Sequence, residues 1–215
     1  MKGKFITFEG IEGSGKSTQI TLLASYLKSI GIGVRQTREP GGTQIGDQVR
    51  KILLNPANTG LVPAAELLLY AASRVQHLQE VILPALNSGI TILCDRFSDA
   101  TLAYQGYGRG LDKEMIRAID RLVTSGIRPD LTILLDIDAA RGVERAQGRN
   151  ARCGLEAEAR FDNEAIAFHE RVRQGYLTVA QGEPDRIRTV DASLSPDAVQ
   201  ARIRTIIDDM VKKPK

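Results

Sequence analysis

Two cysteines and two histidines in 215 residues leave little room for several kinds of chemistry. Cys94 and Cys153 do not make a disulfide framework. Cys94 closes an apolar run and reads as core, whereas Cys153 stands in a polar stretch and reads as an exposed thiol. His77 and His169 lie far apart in sequence, and no Cys/His spacing points to zinc. No Ser/His/Asp nucleophile arrangement is evident. Long apolar runs are missing too, so no stretch is expected to span a bilayer. Charge of one sign is in short supply: 29 basic residues stand against 26 acidic ones, for a net +3. That balance carries neither a nucleic-acid nor a membrane-surface footprint. No Pro-, Gly- or Ser-rich stretch divides the chain, and there is no internal repeat. The expectation is a single domain over 1–215, with room for a substantial core, in the cytoplasm.

What the chain does have is alternation. Short runs rich in Ile, Val, Leu and Thr predict strands at 4–9, 33–38, 90–95, 131–136 and 186–191, each read as buried on both faces. Helical patterns fall near 16–30, 43–54, 63–87, 98–106, 112–125, 139–148, 162–181 and 195–212. Asp112 reads as the N-cap of a helix carrying Met115, Ile119 and Leu122, and Ser195 as the cap of the last helix. Alternating β and α units imply an α/β fold: a parallel sheet with right-handed crossovers and helices on both faces. In such a fold ligands sit at the carboxyl ends of the strands.

The first strand end carries the strongest signal. Gly10-Ile11-Glu12-Gly13-Ser14-Gly15-Lys16-Ser17-Thr18 fits G-x-x-x-x-G-K-[ST]. The apolar run Phe5 to Phe8 precedes it, and a helical face of Ile20, Leu23, Leu27 and Ile30 follows. This is the strand–loop–helix setting of a phosphate-binding P-loop. Its glycines let backbone N–H groups turn inward, and the helix N-terminus adds partial positive charge. Lys16 is expected on the β- and γ-phosphates of a triphosphate, and the Ser17 hydroxyl on Mg²⁺. Glu12 inside the loop reads either as a solvent-facing position or as a carboxylate holding Mg²⁺ or an acceptor hydroxyl.

The other strand ends are more open. Thr37-Arg38-Glu39-Pro40-Gly41-Gly42-Thr43 reads as turn chemistry before a helix capped by Thr43, with Arg38 able to meet a phosphate and Pro40 able to follow a cis bond. Asp95 and Arg96 follow the third strand. Asp95 is well placed to orient water on Mg²⁺, and Arg96 to hold a phosphate bidentately. After the fourth strand, Arg141, Arg145, Arg149 and Arg152 recur at helical spacing into a loop. They form either a solvated charged face or a mobile basic cover able to neutralise a transferring phosphoryl group. Tyr70 and Arg74 share one helical face. From pattern alone they read as a core ring with an arginine snorkelling to water, the alternative being a clamp for a flat, polar-edged group.

Taken together, Phe8 to Thr18, Thr37 to Thr43, Tyr70-Ala71-Ala72-Ser73-Arg74, Asp95-Arg96-Phe97, Ala103-Tyr104-Gln105-Gly106, Arg128-Pro129-Asp130-Leu131-Thr132 and Arg160-Phe161-Asp162 resemble the thymidylate kinases of the bacterial type. They occur in order over nearly the whole chain. The resemblance implies a P-loop three-layer α/β/α fold, a five-stranded parallel sheet and a short Arg-rich lid at about 145–160. It implies transfer of phosphate from ATP to dTMP, with Mg²⁺, in dTTP synthesis for DNA replication. By the same resemblance Tyr70 stacks on thymine, Arg74 reaches its O4, and Arg96 binds the dTMP phosphate. Asp95 helps organise the Mg²⁺ shell, and Tyr104 lies under the sugar, with Gln105 and Thr101 at the base site. Glu12 falls near the acceptor's 3′-hydroxyl and the metal, and Pro40 shapes the acceptor pocket. Ile11 and Ser14 occupy the variable loop positions, so the loop has no arginine, and Arg149 and Arg152, with Arg145 before them, supply the lid version. The family is commonly homodimeric, and the apolar helix 63–87 is a candidate for both core and two-fold interface. Two rivals stand beside this reading: a P-loop kinase for another nucleotide or small acceptor, and a nucleotide-driven switch. The chain has no Asn-Lys-x-Asp guanine-recognition stretch.

Overall fold

The structure, a computed structural model, describes residues 3–154 and 156–212. Five parallel strands, β1 (Phe5–Glu9), β2 (Val34–Arg38), β3 (Thr91–Asp95), β4 (Leu131–Asp136) and β5 (Ile187–Asp191), form one sheet in the order β2-β3-β1-β4-β5. The register pairs Phe8 with Asp95, Glu9 with Leu134, Arg38 with Asp95 and Asp136 with Asp191. All five carboxyl ends therefore lie along one edge. The chain leaves β1 toward β2 and β3 on one side and later fills β4 and β5 on the other. The P-loop thus emerges at the point where the strand order reverses, where open α/β sheets bind ligands.

The helices are α1 (Lys16–Ser29), α2 (Gln44–Leu54), α3 (Pro63–His77), α4 (Leu83–Asn87), α5 (Ser98–Thr101), α6 (Lys113–Thr124), α7 (Ala139–Cys153), α8 (Ile166–Gly182) and α9 (Pro196–Lys212). The caps expected from sequence are in place. Thr43 accepts the Gly46 N–H at 2.9 Å, Asp112 accepts the Glu114 N–H at 2.8 Å, and Ser195 accepts the Ala198 N–H at 3.3 Å.

Several boundaries differ from the sequence reading, each for a physical reason. The helix expected over 63–87 is continuous but passes through a π-helical segment, Leu78–Ile82, between α3 and α4. Pro84 lacks an N–H and its ring crowds the preceding turn, and a widened turn just upstream relieves both problems. The helix expected over 98–106 is one α-turn, α5, followed by a second π segment, Leu102–Gly108. The lid helix α7 does not stop at 148. It runs to Cys153 and ends where Gly154 adopts φ 64° and ψ 38°, with its N–H on the Asn150 carbonyl. Ile30, expected on the buried face of α1, lies just past the helix end and is exposed, whereas Ile20, Leu23 and Leu27 are buried.

Strands β1, β3 and β4 are buried on both faces, as continuous apolar runs predict. The edge strands β2 and β5 are not: Arg35, Gln36, Arg188 and Thr189 face solvent, because an edge strand has a neighbour on one side only. Successive strand residues point to opposite faces, so they feed different clusters. Phe5, Ile92 and Cys94 pack with Leu78, Ile82 and Ala85 beneath α3 and α4, while Ile6, Phe8 and Leu93 join the larger core with α1, α8 and α9. In α3 the apolar residues divide. Leu67 and Ala71 are core, and Leu68 and Val75 are exposed.

Candidate active site

The carboxyl edge of the sheet opens into a cavity of about 530 Å³. The P-loop forms one wall. Gly10 (φ 134°) and Gly13 (φ 68°) hold backbone conformations that side chains disfavour, and both are also pressed against backbone: a Cβ would meet the Leu135 carbonyl oxygen at 2.4 Å and the Gly142 carbonyl oxygen at 2.0 Å, respectively. Lys16 is buried and folded onto its own loop, donating to the carbonyls of Gly10 (3.0 Å) and Ile11 (2.9 Å). Burial, aided by the nearby Arg96 charge, lowers its ammonium pKa to about 8. The Ser17 hydroxyl donates to Asp95 Oδ2 at 3.1 Å, so the first and third strand ends meet at a pair of oxygen ligands.

Opposite stands Arg96. Its backbone sits at φ 71°, a left-handed conformation that costs a non-glycine residue energy and that the strand-end turn enforces. Its guanidinium donates to the Gly10 carbonyl (3.0 Å), the Tyr176 hydroxyl (2.9 Å), Glu12 Oε1 (3.0 Å) and the Tyr104 hydroxyl (2.9 Å). Four of its five N–H groups thus have partners, so a bidentate phosphate contact at the Nη edge requires an exchange of partners. Tyr104 also donates to Glu12 Oε1, at 2.5 Å. Burial by itself raises the Glu12 carboxyl, but Arg96 and the surrounding donors hold it well below the ordinary carboxylate range. Glu12 is therefore part of a built cluster, not a solvent-facing loop position. His169, fully buried on α8, brings Nδ1 to 3.2 Å from Glu12 Oε2 without hydrogen-bond alignment. Neither of its ring nitrogens has a hydrogen-bond partner among the described residues.

The remaining wall comes from α2, α3, α5 and the turn after β2. Arg38, Pro40, Tyr70, Arg74, Thr101, Tyr104 and Gln105 all line the cavity. The Glu39–Pro40 peptide is cis. Arg74 is not snorkelling to water. It is 3% exposed and donates to Glu39 (2.8 Å), the Phe97 carbonyl (3.0 Å) and Thr101 Oγ1 (2.8 Å). Gln105 donates to the buried carboxylate of Glu66 at 2.8 Å. Burial pushes the Tyr70 hydroxyl pKa up. Arg38 is half-exposed, 3.9 Å from Asp47.

The lid arginines separate. Arg145 and Arg149 reach the cavity mouth, where Arg145 donates to the Ala192 carbonyl at 3.1 Å and Arg149 lies 3.5 Å from Asp162. Arg152, read from sequence as Arg149's partner, lies outside the cavity. It borders a shallow surface depression with Arg141, Glu144, Arg145 and Gly148. In the longer α7 the two positions are helical neighbours three residues apart, but only Arg149 borders the cavity, with 152 nearly a turn further along the helix.

Sequence reasoning missed several wall residues. Arg50 donates to Glu158 Oε2 (2.7 Å) and to the Pro40 carbonyl (3.1 Å), joining the lid to the turn after β2. Nothing in local pattern marks it. Glu39 and Phe97 lie inside motifs that were legible, and their roles show only once Arg74 is seen against them. Gly142 carries a signal in retrospect: a glycine one residue before Val143 on the buried face of a helix. Among the described residues no group of three His, Cys, Asp or Glu forms a metal cluster, and no helix is long and apolar enough to cross a membrane.

Known proteins resemble this chain throughout. The family model described as thymidylate kinase matches residues 8–203. A thymidylate kinase of Trichlorobacter lovleyi is 55% identical over 207 residues, covering 96% of each chain. One of Syntrophotalea carbinolica is 56% identical over 199 residues, 93% of this chain and 92% of that one. The crystal structure of thymidylate kinase from Ehrlichia chaffeensis superposes with a TM-score of 0.79 at 33% identity, covering 96% of this chain and 100% of that one. With its P-loop at the sheet's switch point and an arginine-lined cavity facing it, the chain belongs to the thymidylate kinase family.

Proposed function

We propose that the protein transfers the terminal phosphoryl group of ATP to dTMP, giving ADP and dTDP. The observation that carries this reading is a single cavity with two unlike walls: Lys16 and Ser17 on one, and Arg96, Arg74, Tyr70, Tyr104 and Gln105 on the other. The first wall suits a triphosphate. The second suits a nucleoside monophosphate whose base lies between an aromatic ring and a fixed guanidinium. The whole chain reads as one kinase domain with its lid at about 145–160.

Phosphoryl transfer asks for positioning and charge neutralisation more than for a strong base. Gly10 to Thr18 cradle the donor phosphates with backbone N–H groups. Lys16 leaves the carbonyls of Gly10 and Ile11 for the β- and γ-phosphates, a stronger pair of partners. Arg96 exchanges part of its protein contacts for the acceptor phosphate and aligns it for in-line attack, and Glu12, held ionised, takes the acceptor's sugar hydroxyl. Tyr70 stacks on the base, Arg74 and Gln105 meet its polar edge, Thr101 borders it, Tyr104 packs under the sugar, and Arg38 and Pro40 close that end. Arg149 and Arg145 close the mouth, offset charge on the moving group and exclude water. Arg152 stays on the outer flank as a reserve of positive charge. Ser17 and Asp95 would hold Mg²⁺, Asp95 through water: two hard oxygen ligands beside a phosphate site fit a cation that keeps much of its hydration. When bound, Mg²⁺ offsets charge on the β- and γ-phosphate oxygens.

The protein is read as a cytoplasmic homodimer. Free thiols at Cys94 and Cys153 support the compartment. The dimer is supported by exposed apolar residues on three helices: Ile45 and Ile52 on α2, Leu68 and Val75 on α3, Met115 and Leu122 on α6. Each pair is seven residues apart, hence on one face of its helix.

ADP release measured across dTMP, dUMP, UMP, CMP and AMP tests the function, with Lys16→Met as the control. The expected result is the highest kcat/KM for dTMP, little release without acceptor, and loss of most turnover in the variant. A preference for CMP or AMP would overturn the substrate assignment.

A further inference from the structure

We propose that His77 is a positioning residue for the acceptor site, acting through Glu39 on Arg74. The inference rests on the reading that Arg74 faces the acceptor base. His77 closes α3 immediately before the π segment and is fully buried. Both ring nitrogens are engaged: Nδ1 lies 2.9 Å from Glu39 Oε1, and Nε2 lies 2.6 Å from Thr37 Oγ1. A carboxylate oxygen only accepts, so Nδ1 carries the hydrogen aimed at Glu39, and in the neutral ring Nε2 accepts from the Thr37 hydroxyl. The other Glu39 oxygen accepts from Arg74 Nε at 2.8 Å. The result is a buried line, Thr37–His77–Glu39–Arg74, that begins on β2 and ends at the cavity wall.

Three features tie this line to the site and not to the fold alone. Glu39 is 5% exposed, and its two oxygens are taken by His77 and Arg74, so losing the imidazole leaves a buried oxygen unpaired and frees the carboxylate to turn. Arg74 Nη2 is held by the Phe97 carbonyl and Thr101 Oγ1, and Nη1 reaches Asp120 at 3.4 Å, so a turn of Glu39 releases the one short, buried carboxylate contact, at Nε. The imidazole is also pressed against the turn that carries Pro40: a Cβ on Gly42 would meet His77 Nε2 at 2.8 Å. One side chain therefore sets both the guanidinium and the turn that border the acceptor pocket.

Kinetics on His77→Leu, His77→Asn, His77→Gln, Arg74→Gln and the double variant His77→Leu/Arg74→Gln test the proposal, with thermal melts alongside. Asparagine's side-chain amide reaches the Nδ1 position and keeps the donor to Glu39, whereas glutamine's reaches Nε2 and keeps only the Thr37 contact. His77→Leu is expected to raise KM for dTMP about tenfold, with KM for ATP within about twofold of native. His77→Asn should recover most of that loss and His77→Gln little of it. In the Arg74→Gln background, His77→Leu should add almost nothing, because the group it acts through is gone. Unchanged KM for dTMP in His77→Leu, or full additivity in the double variant, overturns the proposal. If His77→Leu does not fold, equal KM values for dTMP in the Asn and Gln variants overturn it. A different result, KM for dTMP unmoved by Arg74→Gln itself, would sink the placement of Arg74 at the acceptor.

Discussion

Glu9 shows how much one residue at the sheet edge carries. It is the last residue of β1, fully buried, and accepts the Phe97 N–H at 2.7 Å and the Tyr176 hydroxyl at 2.8 Å. Burial, reinforced by the charge of Asp99, raises its carboxyl pKa to about 8. Between the ordinary value of 4.5 and about 8, the folded chain keeps a proton that the unfolded chain releases. Stability therefore falls as pH climbs through that window. Glu9→Gln keeps an acceptor for Phe97 and removes the titration. Its Tm relative to native should rise steadily from pH 5 to pH 8. Parallel Tm curves would show that Glu9 titrates normally in the fold. Arg96 and Arg74 make the complementary point. Their chemistry was legible in sequence, yet that Arg96 is engaged by four protein acceptors and that Arg74 is anchored by Glu39 depends on groups from the P-loop, α8, the turn after β2 and α5, which no local pattern connects.

At the scale of elements, the contact between the P-loop and α7 matters most. Gly13 and Gly142 meet backbone to backbone, and a Cβ on Gly142 would fall 2.7 Å from the Glu12 carbonyl oxygen and 2.8 Å from Ile11 Cδ1. The lid helix thus starts in direct contact with the loop that holds the donor. Gly142→Ala forces one of them to move, at a cost of about 1–3 kcal/mol in stability. The displaced loop should lower kcat by about ten- to hundredfold, since catalysis tolerates small misplacements poorly. Calorimetry and ADP release on the same preparation would check both, and a variant as active as native would mean that the loop and helix move apart freely. The π segments belong to this scale as well. Helical periodicity located 63–87 correctly, but a widened turn preserves the apolar face and is invisible to a 3.6-residue pattern.

For the whole molecule, six of the nine exposed large hydrophobic residues among the described residues lie on α2, α3 and α6, the other three being Ile30, Val62 and Ile166. Leu122 is 81% exposed on α6, and α3 packs between α2 and α6, so the three helices present their seven-residue pairs together. Leu122→Asp is expected to shift the sedimenting species from twice the chain mass to the chain mass. Within one chain the substitution is nearly free of cost, because the side chain is already in water. Native protein sedimenting as a monomer would refute the dimer reading.

The periodicity of Ile, Val and Leu, the glycines and Lys16 of the loop, and the caps at Thr43, Asp112 and Ser195 act over a few residues. The sequence by itself therefore determined the strands, most helices, the phosphate loop and the α/β class. Strand order, the exposure of β2 and β5 and the outward turn of Arg152 depend on distant parts of the chain, and the Arg50–Glu158 link and the Thr37–His77–Glu39–Arg74 line join residues 35 to 108 positions apart. Which buried donor meets which buried acceptor is settled by how helices pack on the sheet. A polar group removed from water must find its partner wherever the fold supplies one.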